Sequence, residues 1–211
     1  VYKRQEQAGT HQIWITQPTG NIDSLTLFAA AATQTSRIRL GTAIVPTYPR
    51  HPLVMIQQAL TIDNLAPGRL RLGIGPSHRP IIEGIYGLSM PSPLAYLREY
   101  LSILRSGLWE GKVEHQGEFF HVTSSWPDRA QIPLLVSALG LKAFQLAGEI
   151  SDGAISWLAP TSYLLNKALP ALRAGAEASE RPTPPLVAYV QVAISNDQTA
   201  VLEAAKKRLI T

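Results

Sequence analysis

The chain has 211 residues, enough for one large domain or two small ones; 45% are hydrophobic and only 16% charged, which excludes a disordered chain. Lys plus Arg exceeds Asp plus Glu by 19 to 15, and the one dense basic run, Lys206-Lys207-Arg208, closes a predicted helix, where cations suit the dipole, so a nucleic-acid face is not expected. Cysteine is absent, which excludes disulfides, thiolate metal sites and a cysteine nucleophile. No apolar run approaches the ~18 residues of a membrane span, and no apolar stretch follows the charged start 1–7 as a signal peptide would need. A cytoplasmic protein with no membrane partner and no metal is expected.

Residues 1–10 are expected to be disordered or artefactual, and the domain is expected over 11–211. A short apolar strand at 13–16 leads to a Leu- and Ala-rich helix at 24–35, capped by Asp23-Ser24. The run 38–45 is a second strand. Leu53, Ile56, Ala59 and Leu60 then trace one face of a helix with Pro52 in its first turn. A third strand, 70–74, precedes a helix begun by Pro93, striped by Tyr96, Leu97, Tyr100, Leu101, Leu104 and Leu108, and ended by Gly107 and Gly111. Within 111–133, residues 113–122 alternate around Gly117 and predict a small hairpin, placed at the end of the fold away from the chemistry because it precedes a strand. Strands at 134–137, 154–158 and 186–194 follow, with helices at 143–150, 162–178 and 199–210, the last opened by Asn196-Asp197. The Pro-rich stretch 181–185 reads as a helix-to-strand connection, not a domain linker.

Near-continuous apolar strands, each followed by a helix at about 35 residues per unit, define an α/β protein with a parallel sheet. Two architectures fit six such units: an open doubly wound sheet, or an incomplete (β/α)8 barrel, whose full form takes about 250 residues.

The strand ends carry the most informative motifs. They read Trp14-Ile15-Thr16-Gln17-Pro18-Thr19-Gly20, then Arg39 to Pro52 (RLGTAIVPTYPRHP), then Gly68 to His78 (GRLRLGIGPSH), and later Ser137-Ala138-Leu139-Gly140-Leu141-Lys142 and Ser151-Asp152-Gly153. In combination these resemble the bacterial-luciferase-like superfamily of flavin-dependent oxidoreductases, in its branch using the deazaflavin coenzyme F-420. The glycine pair in LGIG is not itself a dinucleotide fingerprint, since the third glycine is missing. The resemblance implies a (β/α)8 TIM barrel, here truncated to about six βα units, the second to the seventh. Parallel edges are then expected at 13–16 and 186–194.

Barrel logic places chemistry at the C-terminal strand ends, in the loops 17–22, 46–51, 76–92, 139–141, 159–161 and around Asn196. The resemblance implies a non-proline cis peptide at Ala43–Ile44, bulging behind the deazaflavin ring. It assigns the turn of Ser137, Ala138, Leu139, Gly140 and Lys142 to the cofactor's phosphate side, where a helix start offers free N–H groups; a plain strand–helix turn is the alternative. Gly73, Gly75, Pro76 and Ser77 end a strand, and glycines there let a flat ring approach the backbone; packing glycines are the alternative. His78 and His51 are candidate acids or bases, weighed against ordinary structural histidines. Trp157 and Trp14 are taken as core or pocket walls. Many deazaflavin relatives carry an Asp-His pair where this chain has Gln17-Pro18, so acid–base work does not transfer there; Gln17 is left to hydrogen-bond the ring edge.

The expected function is hydride transfer between F-420 and a small organic substrate, in a protein that is a homodimer when full-length. Two alternatives stay open: an FMN-dependent luciferase-like monooxygenase, and an inactive truncated barrel fragment.

Overall fold

The computed structural model of the protein describes residues 1–20 and 22–209. Asn21 of the 17–22 loop, Ile210 of the last expected helix and the side chains of Lys207 and Arg208 lie outside the described residues. The elements run α1 (Tyr2–Gln7), β1 (Gln12–Ile15), α2 (Ser24–Gln34), β2 (Arg39–Thr42), β3 (Val45–Pro46), α3 (Pro52–Leu65), β4 (Leu70–Gly75), α4 (Arg79–Gly84) and α5 (Pro93–Arg105). They continue β5 (Lys112–Gln116), β6 (His121–Ser125), β7 (Leu134–Ser137), α6 (Leu141–Ile150), β8 (Gly153–Ser156), α7 (Thr161–Tyr163), α8 (Leu169–Ala178), β9 (Leu186–Ala188) and α9 (Gln198–Leu209).

Strand order decides between the two architectures. The sheet runs β1-β2-β4-β7-β8-β9, with β3 extending the wall beside β4, and every pairing in it is parallel. Spatial order follows chain order without reversal. A doubly wound sheet reverses order at a switch point; a barrel wall does not. The protein is therefore an open barrel wall of six βα units, as the resemblance implied.

Its two faces pack differently. Outward-facing Leu40, Leu70, Leu72, Ile74, Leu134 and Val136 join the helices in one core with Phe28, Met55, Ile56, Tyr100 and Phe144. The inner face alternates large with minimal side chains. Trp14 covers Gly41, Ile155 covers Gly73 and Leu135 covers Gly153. A Cβ on Gly73 would stand 2.0 Å from the Thr42 carbonyl oxygen, so no other residue fits that position without moving the wall.

Local chemistry explains the helix starts. Asp23 caps α2 by accepting the Thr26 N–H at 2.8 Å, and Asp197 caps α9 by accepting that of Ala200 at 3.0 Å. Pro52 and Pro93 both sit at helix starts, where a missing N–H costs nothing.

Five expectations need correction. Residues 1–10 are not disordered: α1 forms there, and the Glu6 carboxylate accepts the N–H groups of Ser36, Arg37 and Ile38 at 3.0, 2.7 and 2.8 Å, satisfying a bend that has no strand partner. Gly107 does not end its helix. It lies inside a π turn, Ser106–Glu110, where a Cβ would meet Ile56 at 2.3 Å, and Gly111, with φ 73°, makes the stop. The strand expected at 38–45 breaks into β2 and β3 around the Ala43–Ile44 bond. The strand expected at 186–194 is only β9, because β8 ends at Ser156, opposite Ala188, and leaves later residues nothing to pair with. The hairpin forms as β5 and β6, but its tip does not stay at the far end of the fold. Glu99 in α5 accepts the N–H groups of Glu118, Phe119 and Phe120, and the Phe120 ring meets His51 and Tyr96, beside the starts of α3 and α5. Those starts follow β3 and β4, so the tip reaches the level of the C-terminal strand ends.

Candidate active site

A cavity of about 360 Å³ opens at the C-terminal strand ends, within the about 300–1,000 Å³ usual for small-molecule sites. Five strand ends build it. Thr16, Gln17 and Pro18 come after β1; Ala43, Ile44 and Pro46 from the β2–β3 break; Pro76, Ser77 and His78 after β4. Ser137, Leu139 and Gly140 follow β7, and Ile155, Ser156 and Trp157 end β8. Ile81 of α4, Leu94 and Leu97 of α5 and Ala143 of α6 complete an apolar lining. Few polar groups interrupt it, which suits a largely apolar ligand oriented by a handful of hydrogen bonds.

The Ala43–Ile44 peptide is cis, as the resemblance implied. Ser77 holds φ at 64°, left-handed for a residue with a Cβ, and so turns sharply out of β4 into the cavity rim. His78 lines the cavity and makes no cap bond to α4. Trp157 stacks on Tyr189, with ring centroids 4.5 Å apart, as an aromatic wall. Ser156 is 1% exposed, and its hydroxyl has no hydrogen-bond partner among the described residues.

Four sequence candidates lie elsewhere. His51 is exposed on the outer side of the wall; its Nδ1 accepts the Leu53 N–H and its ring meets Phe120 edge-on, so it serves as a helix cap. Gly75 lies beneath the rim, and the room its missing Cβ leaves is filled by the Ser137 hydroxyl, 2.1 Å from where that Cβ would stand. Lys142 is exposed on α6 and is not part of the lining. Ala138 is buried and spends its N–H on the Ile155 carbonyl at 2.9 Å. In the same turn, α6 bonds start with Ala143 and Phe144 reaching back to Gly140, so the N–H groups of Gly140, Leu141 and Lys142 have no acceptor among the described residues.

Sequence reading placed chemistry in the loops that carry Pro18, Pro46 and Ile81 without singling them out, and missed Thr16, Leu94, Leu97, Ala143, Ile155 and Ser156. Ser156 had a local sign, a hydroxyl ending an apolar run. The helix residues had none, since nothing in a helical stripe tells core from cavity.

Beside the cavity, Tyr48 and Tyr96 stack with centroids 4.1 Å apart, and the Tyr48 hydroxyl donates to the Pro91 carbonyl at 2.6 Å. Burial pushes both phenols up to about 12, with Arg79 opposing at Tyr48 and the Tyr48 phenol adding at Tyr96. Both are neutral near neutrality, and neither lines the cavity. At Asp23, burial raises the carboxyl, but the Thr26 N–H and the Arg50 guanidinium outweigh it, so Asp23 stays ionised.

A family model described as luciferase-like monooxygenase matches residues 1–211, the first ten included. The chain belongs to the luciferase-like monooxygenase family. It is 34% identical over 221 residues to an F-420-dependent glucose-6-phosphate dehydrogenase of Beutenbergia cavernae, covering 95% of this chain and 65% of that protein. A similar enzyme of Kineococcus radiotolerans is 32% identical over 210 residues, covering 92% of this chain and 62% of the relative. Among solved structures, the coenzyme F-420-dependent tetrahydromethanopterin reductase of Methanopyrus kandleri superposes with a TM-score of 0.84 at 27% identity, covering 97% of this chain and 64% of that one. The chain thus spans under two thirds of the length of these relatives.

Proposed function

We propose that this chain supplies the cofactor site of an F-420-dependent oxidoreductase acting on a small organic molecule. The observation that carries the reading is the cavity itself, apolar on its walls and placed at the C-terminal ends of the strands. F-420-dependent relatives at 32 and 34% identity support the choice of cofactor.

The residues present fit a flat tricyclic ring. Ile44, Ile155 and Trp157 give the lining apolar and aromatic surface for the ring faces, and Gln17 and Ser137 bring polar groups to it. The N–H groups left without an acceptor at the start of α6 suit the phosphate-bearing side of the cofactor. When bound, F-420 supplies a carbon centre that gives or takes a hydride. The protein orients the ring, excludes water with Ile81, Leu94 and Leu97, and offers His78 at the rim as the group able to move a proton. A cytoplasmic setting, a homodimer for the full-length protein and no nucleic-acid partner belong to the same proposal; the scattered basic residues support the last. Among the described residues no helix is long and apolar enough to cross a membrane.

Titration with F-420 and with FMN, followed by fluorescence quenching, tests the reading. Saturable binding of F-420 is expected. Tight FMN binding with no response to F-420 overturns the choice of cofactor.

A further inference from the structure

Gln17 lines the cavity at the position where acid–base residues were ruled out by sequence. Its side-chain oxygen accepts the Ser24 hydroxyl at 2.7 Å and the Ser24 backbone N–H at 3.3 Å. A backbone N–H only donates. The group facing it must therefore be the amide oxygen, and the flipped amide would set an NH2 against that N–H. Ser24 is fully buried at the first position of α2, held there by the Asp23 cap. Its hydroxyl has no other partner among the described residues. The amide nitrogen of Gln17 likewise meets no acceptor among them.

We infer that Ser24 is a positioning residue: it fixes the Gln17 amide with its oxygen toward α2, so that the NH2 is presented to the cavity as a donor to a carbonyl oxygen on the edge of the bound redox ring. The inference rests on the proposed function. It deepens it by making this position a fixed neutral donor. An amide neither gains nor loses a proton in the working range, so Gln17 orients the ring and leaves proton transfer to another group.

A double-mutant cycle tests this. Wild type, Gln17→Leu, Ser24→Ala and the double variant are titrated with oxidised F-420, reading fluorescence quenching and the visible absorption maximum of the bound cofactor, with thermal unfolding as a check on the fold. Loss of one hydrogen bond predicts about tenfold weaker binding for Gln17→Leu, about threefold for Ser24→Ala, and no further loss in the double variant. The absorption maximum in Ser24→Ala is expected to move toward that in Gln17→Leu. Ser24→Cys, which fills similar space with a weak donor, repeats the test if Ser24→Ala lowers stability. Additive losses, or wild-type binding and an unchanged spectrum in both Ser24 variants, overturn the inference alone. A wild type that takes FMN and not F-420 overturns the cofactor choice, and the same cycle read on FMN then decides the inference. A wild type that binds neither ring overturns both.

Discussion

Glu6 shows how one side chain can join a terminal helix to a sheet. The N–H groups of Arg37 and Ile38, opposed by burial and reinforced by Ser36, hold its carboxyl below the usual carboxylate range. A carboxyl depressed by folding stabilises the fold above its unfolded value, and that stabilisation is lost as pH falls through the folded value. Glu6→Gln is therefore expected to melt below wild type near neutrality, with the gap closing as the solution is acidified. Thermal unfolding across the acid range checks this; a gap that stays constant with pH would show that the charge is not what holds α1. The same logic of small groups in tight places applies at the rim, where Ser77 accepts a left-handed backbone to carry β4 into the cavity.

At the scale of elements, α6 and α8 are joined backbone to backbone. A Cβ on Gly175 would stand 1.9 Å from the Gln145 carbonyl oxygen, and one on Gly148 would stand 2.1 Å from that of Leu172. No flexible side chain is available to yield at either point. Gly175→Ala is expected to push the helices apart and cost about 3 kcal/mol, at the upper end for overpacking. Denaturant unfolding measures it. Gly140→Ala is the control: nothing lies within 4 Å of a Cβ there and its backbone is extended, so stability should change little. Both glycines of the helix pair were present in the sequence as plain helix residues. Their necessity came from the partner helix.

At the scale of the wall, β1 and β9 are each paired on one side only among the described residues. Val190, Val192 and Ile194 extend from β9 at 72, 80 and 99% exposure. A parallel edge beside exposed apolar residues is a template for another chain. Val192→Lys with Ile194→Lys is expected to suppress concentration-dependent association of this 211-residue chain, read by light scattering over a dilution series, with its unfolding midpoint unchanged. Association that persists in the double variant would place the contact elsewhere.

The sequence alone determined the α/β class, the six strand–helix units, the hairpin, and the strand ends where chemistry sits, because hydrophobic period, caps and turn residues are local properties. The resemblance added the cis bond at Ala43–Ile44. Only the tertiary structure decided the rest. Unreversed strand order chose the barrel wall over the doubly wound sheet, since six identical units fit both until their pairing is known. His51, Lys142, Ala138 and Gly75 left the cavity lining because a residue's place in a motif does not fix which side of a wall its side chain faces. Ile81, Leu94 and Leu97 joined it for the complementary reason: an apolar residue carries no mark of what it will meet until another element is packed against it.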